Sequence, residues 1–206
     1  MKKKKNEKKL EVVFILDQSG SMSGSEENTI SSFNEYLERE KKNSYDTKVS
    51  TILFSDKVKY LYEGIDVKEV SPLTREEYVT CGCTALFDAI GEGMKKMEKY
   101  QNDKVLFIII TDGYENASKE YKKDTIRKMI QQHSNWEFIY IGADIDSYSA
   151  GGDIGIKKEN IANFKKDKTG TSLLFQSVSK FQDAMMCEEK CSNWKEDLED
   201  YLEKNQ

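Results

Sequence analysis

Val12-Val13-Phe14-Ile15-Leu16-Asp17-Gln18-Ser19-Gly20-Ser21-Met22 is the stretch on which the reading of this chain turns. Five consecutive apolar residues run straight into an acid, and two hydroxyl residues follow at alternating positions. An apolar run with no polar face is what a strand covered on both sides of a sheet requires. Such a strand delivers Asp17, Ser19 and Ser21 to one point at its C-terminal end. Three oxygen-bearing side chains so placed can converge on a hard cation.

The same pattern recurs along the chain. Residues 105–110 are apolar throughout and end in Thr111-Asp112-Gly113, and residues 137–141 end in Gly142-Ala143-Asp144. Residues 48–54 read as a further strand, and 57–62 as a short one. The two are joined only by the Ser55-Asp56 turn, so the second is expected to run antiparallel. Residues 161–164 suit a last edge strand. Helical spacing of apolar residues predicts helices over 29–42 (Ile30, Phe33, Leu37), 85–100 (Leu86, Ile90, Met94, Met97) and 120–132 (Ile126, Met129, Ile130). It predicts two more over 171–189 (Leu174, Val178, Phe181, Met185) and 193–204 (Trp194, Leu198, Tyr201, Leu202). Residues 66–78, which hold the only proline, Pro72, read as loop with one helical turn. Strands alternating with helices predict a Rossmann-like, doubly wound α/β fold. Its sheet should be mainly parallel, with one antiparallel edge-region strand and helices on both faces. In such folds a ligand sits outside the carboxyl ends of the strands, where Asp17 and Asp112 both fall.

Composition narrows the function. A chain of 206 residues suggests one domain with an appended tail. The expected organisation is a basic arm over 1–9, a core domain over 10–186 and a helical extension over 187–206. Asp and Glu number 37 against 32 Lys and Arg, a net charge of -5, which argues against nucleic-acid binding. The lysine-rich start could pass for the opening of a secretory leader. Its apolar run is cut off at Asp17 and no small-residue cleavage site follows, so a cytoplasmic location is expected. No apolar stretch approaches the roughly 18–20 residues of a membrane span. The four cysteines occur as Cys81-Gly82-Cys83 and Cys187-x3-Cys191, neither of them the spacing of a zinc ribbon. Free thiols are therefore expected.

Three stretches belong together: Asp17-x-Ser19-x-Ser21, Gly82-Cys83-Thr84 just before a helix, and Thr111-Asp112-Gly113 at the end of a buried strand. Taken singly, each has a plainer reading. Asp17, Ser19 and Ser21 could cap the following helix, Thr84 could be a helix cap, and Asp112 a turn residue. Taken together they resemble the metal-ion-dependent adhesion site (MIDAS) of the von Willebrand factor type A (vWA) domain family, over roughly residues 10–185. The resemblance implies that Asp17, Ser19, Ser21, Thr84 and Asp112 hold a divalent cation. Ser19 and Ser21 would bind directly, Thr84 directly in the ligand-occupied state, and Asp17 and Asp112 often through waters. Two carboxylates and three hydroxyls with no soft ligand suit Mg²⁺ or Mn²⁺.

The resemblance further implies a non-enzymatic protein-binding module, in which the ion captures a Glu or Asp side chain of a partner protein. It extends to stand-alone cytoplasmic proteins of bacteria and phages, some of which accompany ATPase chaperones or stress-response complexes. Cys83 departs from the small residue usual before the Thr, and is expected to point away or to pack as a small hydrophobe. The alternative is a Mg-dependent phosphatase or phosphotransferase of haloacid-dehalogenase type. That chemistry needs a second acid where Ser19 stands, and no P-loop is present either. His133, the only histidine, has no nucleophile motif beside it. Asp144 and Asp146 read as turn residues.

Overall fold

The computed structural model describes residues 9–100 and 104–205. The basic arm expected over 1–9 therefore lies, except for Lys9, outside the described residues. The elements run in order β1 (Lys9–Asp17), α1 (Glu26–Glu40), β2 (Asp46–Phe54), β3 (Val58–Asp66), α2 (Leu86–Met97) and β4 (Lys104–Thr111). They continue with α3 (Lys123–Gln132), β5 (Glu137–Gly142), α4 (Ser147–Asp153), β6 (Ile161–Asn163), α5 (Lys168–Cys187) and α6 (Glu196–Lys204). The strands form one sheet in the order β3-β2-β1-β4-β5-β6. Among the described residues only β3 is antiparallel, and it pairs with β2 at one edge. This is the doubly wound, mainly parallel α/β fold that the apolar runs predict.

Side chains of β1 alternate between two cores, as strand geometry demands. Leu10, Val12, Phe14 and Leu16 pack against α1 and α5, while Val13 and Ile15 pack beneath α2 and α3. Phe14 is fully buried, and the rings of Phe33 and Tyr36 on α1 meet it edge-on, each at 5.0 Å between centroids. A strand with no solvent face must be apolar at every position, which is why Val12 to Leu16 contains no polar residue.

Several boundaries differ from the periodicity. α1 starts at Glu26, ahead of its first apolar contact, because acids suit the first turn of a helix. β3 continues to Asp66 through an irregular pairing, in which Gly64 adopts φ 61° and its N–H donates to Ser50 Oγ at 2.9 Å. α2 ends at Met97, and a 3-10 turn over Glu98–Tyr100 follows. α4 has no apolar periodicity in Ser-Tyr-Ser-Ala-Gly-Gly-Asp. It exists because Gly151 lets its backbone lie against Ile161 and Tyr140. α6 is shorter than expected, and Trp194 precedes it. Trp194 and Leu198 are buried in the same core as Phe14, and the Trp194 indole N–H donates to Glu159 O at 2.9 Å. None of the described helices is long and apolar enough to cross a membrane.

Candidate functional site

β1 lies between β2 and β4 in parallel register, with Leu16 opposite Ile110. One step further along both strands, Asp17 meets Thr111, and the Thr111 hydroxyl donates to Asp17 Oδ2 at 2.5 Å. The other oxygen of Asp17 accepts the Ser19 N–H at 2.6 Å, which bends the chain into a 3-10 turn over Gly20–Met22. Beneath them, the buried Tyr78 hydroxyl donates to Asp17 O at 2.5 Å. Burial pushes the Asp17 carboxyl above its ordinary range, against the hydrogen bonds from Thr111 and Ser19 that favour its ionised form.

The turn carries Ser21 across to β4. Ser19 Oγ and Ser21 Oγ are 3.0 Å apart, and the Ser21 hydroxyl donates to Asp112 Oδ1 at 2.5 Å. Asp17 and Asp112 are buried while Ser21 faces solvent, so the cluster is acidic at its base and open at its mouth.

Thr84 arrives from the long segment between β3 and α2. Asn34 clamps that segment to α1, taking Leu73 N–H at 2.7 Å and donating to Leu73 O at 2.9 Å. Main-chain bonds then seat it on the strand ends: Cys81 N–H to Gln18 O at 2.8 Å, Gly20 N–H to Gly82 O at 3.0 Å, and Ala85 N–H to Ser55 O at 2.7 Å. Gly82 adopts φ 74°, and a β-carbon there would collide with Asp56 Oδ1, so only glycine serves at this approach. Asn116 brackets Thr84, its side chain accepting Thr84 N–H at 2.8 Å and its own N–H donating to Thr84 O at 3.0 Å.

Gly113 marks where the segments meet most closely. A β-carbon there would sit 2.8 Å from Thr84 Oγ1 and 3.6 Å from Ser21 Oγ. Hydroxyls from two distant segments thus both approach Gly113 beside Asp112, and a glycine there leaves them room to do so. A cationic group already stands at this acidic cluster: Lys166 Nζ donates to Asp112 Oδ2 at 2.6 Å and to Ser21 O at 2.9 Å. Hard oxygen donors around a small opening, with two carboxylates attracting positive charge, match what Mg²⁺ or Mn²⁺ requires.

The plainer roles as helix caps do not describe these residues. Ser25 precedes α1, eight residues beyond Asp17, and makes no side-chain cap bond to it. The first amides of α2 go elsewhere: Phe87 N–H to Glu115 Oε2 at 2.9 Å and Asp88 N–H to Ser118 Oγ at 3.0 Å. Asp144 adopts φ 56° and Asp146 caps α4 by accepting Ser149 N–H, so both act in the turn. Cys83 is exposed rather than packed, and all four cysteines are free. His133 ends α3 and stacks on Trp136 at 4.0 Å between ring centroids, far from this edge of the sheet.

Sequence reasoning missed Lys166, Tyr78, Asn116 and the close approach of Thr84 to Gly113. Lys166 sits in a Lys-Lys pair after the edge strand, in a lysine-rich chain where nothing marks it out. Tyr78 and Asn116 act through local hydrogen bonds that leave no periodic trace.

The sequence matches the family model of the von Willebrand factor type A domain over residues 11–176. No curated protein matches it significantly. Among solved structures, it is similar to proximal thread matrix protein 1 from the mussel byssus, in a form with a zinc-occupied MIDAS motif. That likeness has TM-score 0.62 and 15% identity over 83% of this chain, which spans 45% of the mussel chain. It is also similar to the ArnB paralog VWA2 from Sulfolobus acidocaldarius (TM-score 0.57, 21% identity, 84% of this chain and 44% of that one). A third likeness is to a D319A mutant of the PilB minor pilin from Streptococcus sanguinis (TM-score 0.65, 12% identity, 90% of this chain and 64% of that one). At such identities the likeness speaks for the fold.

Proposed function

We propose that this chain, which belongs to the von Willebrand factor type A domain family, is a non-enzymatic protein-binding module that captures an acidic residue of a partner through a divalent cation. Asp17, Ser19, Ser21, Thr84 and Asp112 would hold Mg²⁺ or Mn²⁺. The observation that carries this reading is the convergence of oxygen donors at the strand ends: Ser19 Oγ lies 3.0 Å from Ser21 Oγ, the Ser21 hydroxyl donates to Asp112 Oδ1 at 2.5 Å, and Thr84 Oγ1 approaches Gly113 beside them. A bound cation would supply a Lewis-acidic position for an incoming carboxylate oxygen.

The chain's own residues divide the remaining work. Asp17 is held at the base by Thr111, Ser19 and Tyr78 and supplies fixed negative charge. Ser21 offers a neutral hydroxyl at the mouth and the buried Ser19 a second one behind it, and Asn116 fixes the backbone of Thr84 beside them. Neutral hydroxyls quench little of a cation's charge, which leaves it able to attract a carboxylate. Beside the mouth, the exposed ring of Tyr114 follows Gly113 directly and offers apolar surface to the same partner. The cytoplasm is the setting we infer, with a separate protein of an ATPase-chaperone or stress-response complex as the partner.

The test compares the wild type with Asp17→Ala and Thr84→Ala. Both variants should keep the circular dichroism of the fold while losing Mg²⁺ affinity and Mg²⁺-dependent retention of the partner in a pull-down. The reading fails if Mg²⁺ and Mn²⁺ change neither the thermal stability nor the partner binding of the wild type.

A further inference from the structure

We infer that Lys166 is a tethered cation that occupies the acidic cluster when no metal is bound, and that a divalent ion must displace its ammonium to load. This rests on the metal-site reading above and adds an internal competitor to it.

The geometry is specific. Lys166 Nζ donates to Asp112 Oδ2 at 2.6 Å and to Ser21 O at 2.9 Å, and lies 3.7 Å from Asp144 Oδ2. The Asp112 side chain is 0% exposed, so this is no solvated surface pair of the kind that contributes little. The other Asp112 oxygen accepts the Ser21 hydroxyl at 2.5 Å. Both oxygens of one proposed ligand, together with the hydroxyl and carbonyl of a second, are thus committed to an internal arrangement centred on Lys166.

Charge makes the arrangement exclusive. Asp17 and Asp112 bring two buried negative charges and Lys166 one positive; the third carboxylate near the ammonium, Asp144, has a side chain 73% exposed and is screened by water. A dication that replaces the ammonium leaves the cluster neutral, whereas a dication beside it leaves an excess of positive charge near buried carboxylates. Like charges a few ångströms apart away from bulk water repel strongly.

The segment that carries Lys166 is built so that its side chain can leave alone. It connects β6 to α5. Phe164 N–H donates to Gly142 O at 2.9 Å, and Lys165 Nζ donates to Asn205 O at 2.5 Å. Asp167 caps α5 by accepting Gly170 N–H at 2.8 Å and also accepts the Tyr201 hydroxyl at 3.1 Å. The backbone on either side is therefore held, while the lysine stem reaches the cluster by rotations that cost nothing in main-chain bonds. Lys166 consequently lowers the apparent affinity of the site for metal and keeps the buried Asp112 charge paired until metal arrives.

Calorimetric titration of Mg²⁺, repeated with Mn²⁺, tests this on the full chain and on Lys166→Met, Lys166→Gln and Lys165→Met. The two Lys166 variants should bind metal about tenfold tighter or more, a difference of about 1.4 kcal/mol per decade, and Lys165→Met should match the wild type. Should either Lys166 variant fold poorly, the wild type alone suffices. Amine-reactive labelling read by mass spectrometry should then rise at Lys166, and not at Lys165, when Mg²⁺ saturates the protein. If the wild type binds metal and the Lys166 variants bind it equally or more weakly, or if labelling of Lys166 is unmoved by Mg²⁺, the latch is wrong and the metal site stands. If no protein in the set binds Mg²⁺ or Mn²⁺, the metal-site reading falls and the latch with it.

Discussion

Gly113→Ala places one methyl group where the cation is proposed to sit, and its consequences can be worked through. The backbone tolerates alanine there, since Gly113 is not among the residues with positive φ. The new Cβ would lie 2.8 Å from Thr84 Oγ1, 3.5 Å from Thr84 Cγ2 and 3.6 Å from Ser21 Oγ. Only the first contact is too close, and a shift of roughly half an ångström or a twist of the Thr84 side chain relieves it, at about 1 kcal/mol. The metal-free protein should therefore melt only about 2–4 °C lower. Metal binding should suffer far more, because the methyl fills the volume between the two hydroxyls and turns Thr84 away. With Mg²⁺ at about a hundred times its dissociation constant, the wild type gains about 2.7 kcal/mol. A site weakened about tenfold gains only about 1.4 kcal/mol under the same conditions. The assay is thermal unfolding with and without Mg²⁺, backed by calorimetric titration. Gly152→Ala is the control. A β-carbon there meets nothing within 4 Å, so Mg²⁺ should stabilise that variant like the wild type. If Gly113→Ala retains the full Mg²⁺ response, the volume beside Gly113 is not where the ion binds.

Trp194→Ala should cost about 3–5 kcal/mol in urea unfolding, the range for a buried Trp, because the indole is packed against Phe181 and donates to Glu159 O. A loss under 1 kcal/mol, in order of magnitude, would mean that the C-terminal helix is a detachable appendage. Tyr78→Phe removes the hydrogen bond to Asp17 O and should cost about 1 kcal/mol, read as a lower urea midpoint with unchanged slope. Asp17→Asn tests the burial of the carboxylate. Its folded pKa is raised above 3.8, so the folded state holds the proton more tightly than the unfolded one. Metal-free stability should therefore fall as pH rises from the unfolded value through the raised one, and stay low above it. The difference in urea midpoint between wild type and Asp17→Asn should grow in favour of the variant over that interval, and Mg²⁺ should reverse the order at neutral pH. A difference that does not change with pH would show that Asp17 is not strained by burial.

The sheet was legible because its central strands have no polar face. Residues 12–16 and 105–110 could only be doubly covered strands, and their ends place Asp17 and Asp112 at one edge. Elements held by single close contacts were not legible. α4 rests on Gly151 against Ile161 and Tyr140, and the loop that delivers Thr84 rests on Asn34 gripping Leu73. Neither device repeats along the chain, so no periodicity reveals it. The end of the chain was legible through its apolar spacing, despite the surrounding charge. Two residues of its apolar stripe, Trp194 and Leu198, lie in the same core as Phe14. At the site, the five oxygen-bearing residues Asp17, Ser19, Ser21, Thr84 and Asp112 form a recognisable pattern. Lys166 does not, because its partnership with Asp112 is created by the fold alone.

A crystal of the protein soaked in Mn²⁺ and measured for anomalous scattering gives the most direct test of metal binding by this cluster. One peak should lie at bonding distance from Ser19 Oγ and Ser21 Oγ, beside Thr84 and above Asp17 and Asp112, with Lys166 Nζ withdrawn from Asp112. An empty cluster with Lys166 still paired to Asp112 at saturating Mn²⁺, or a peak elsewhere on the molecule alone, would contradict it.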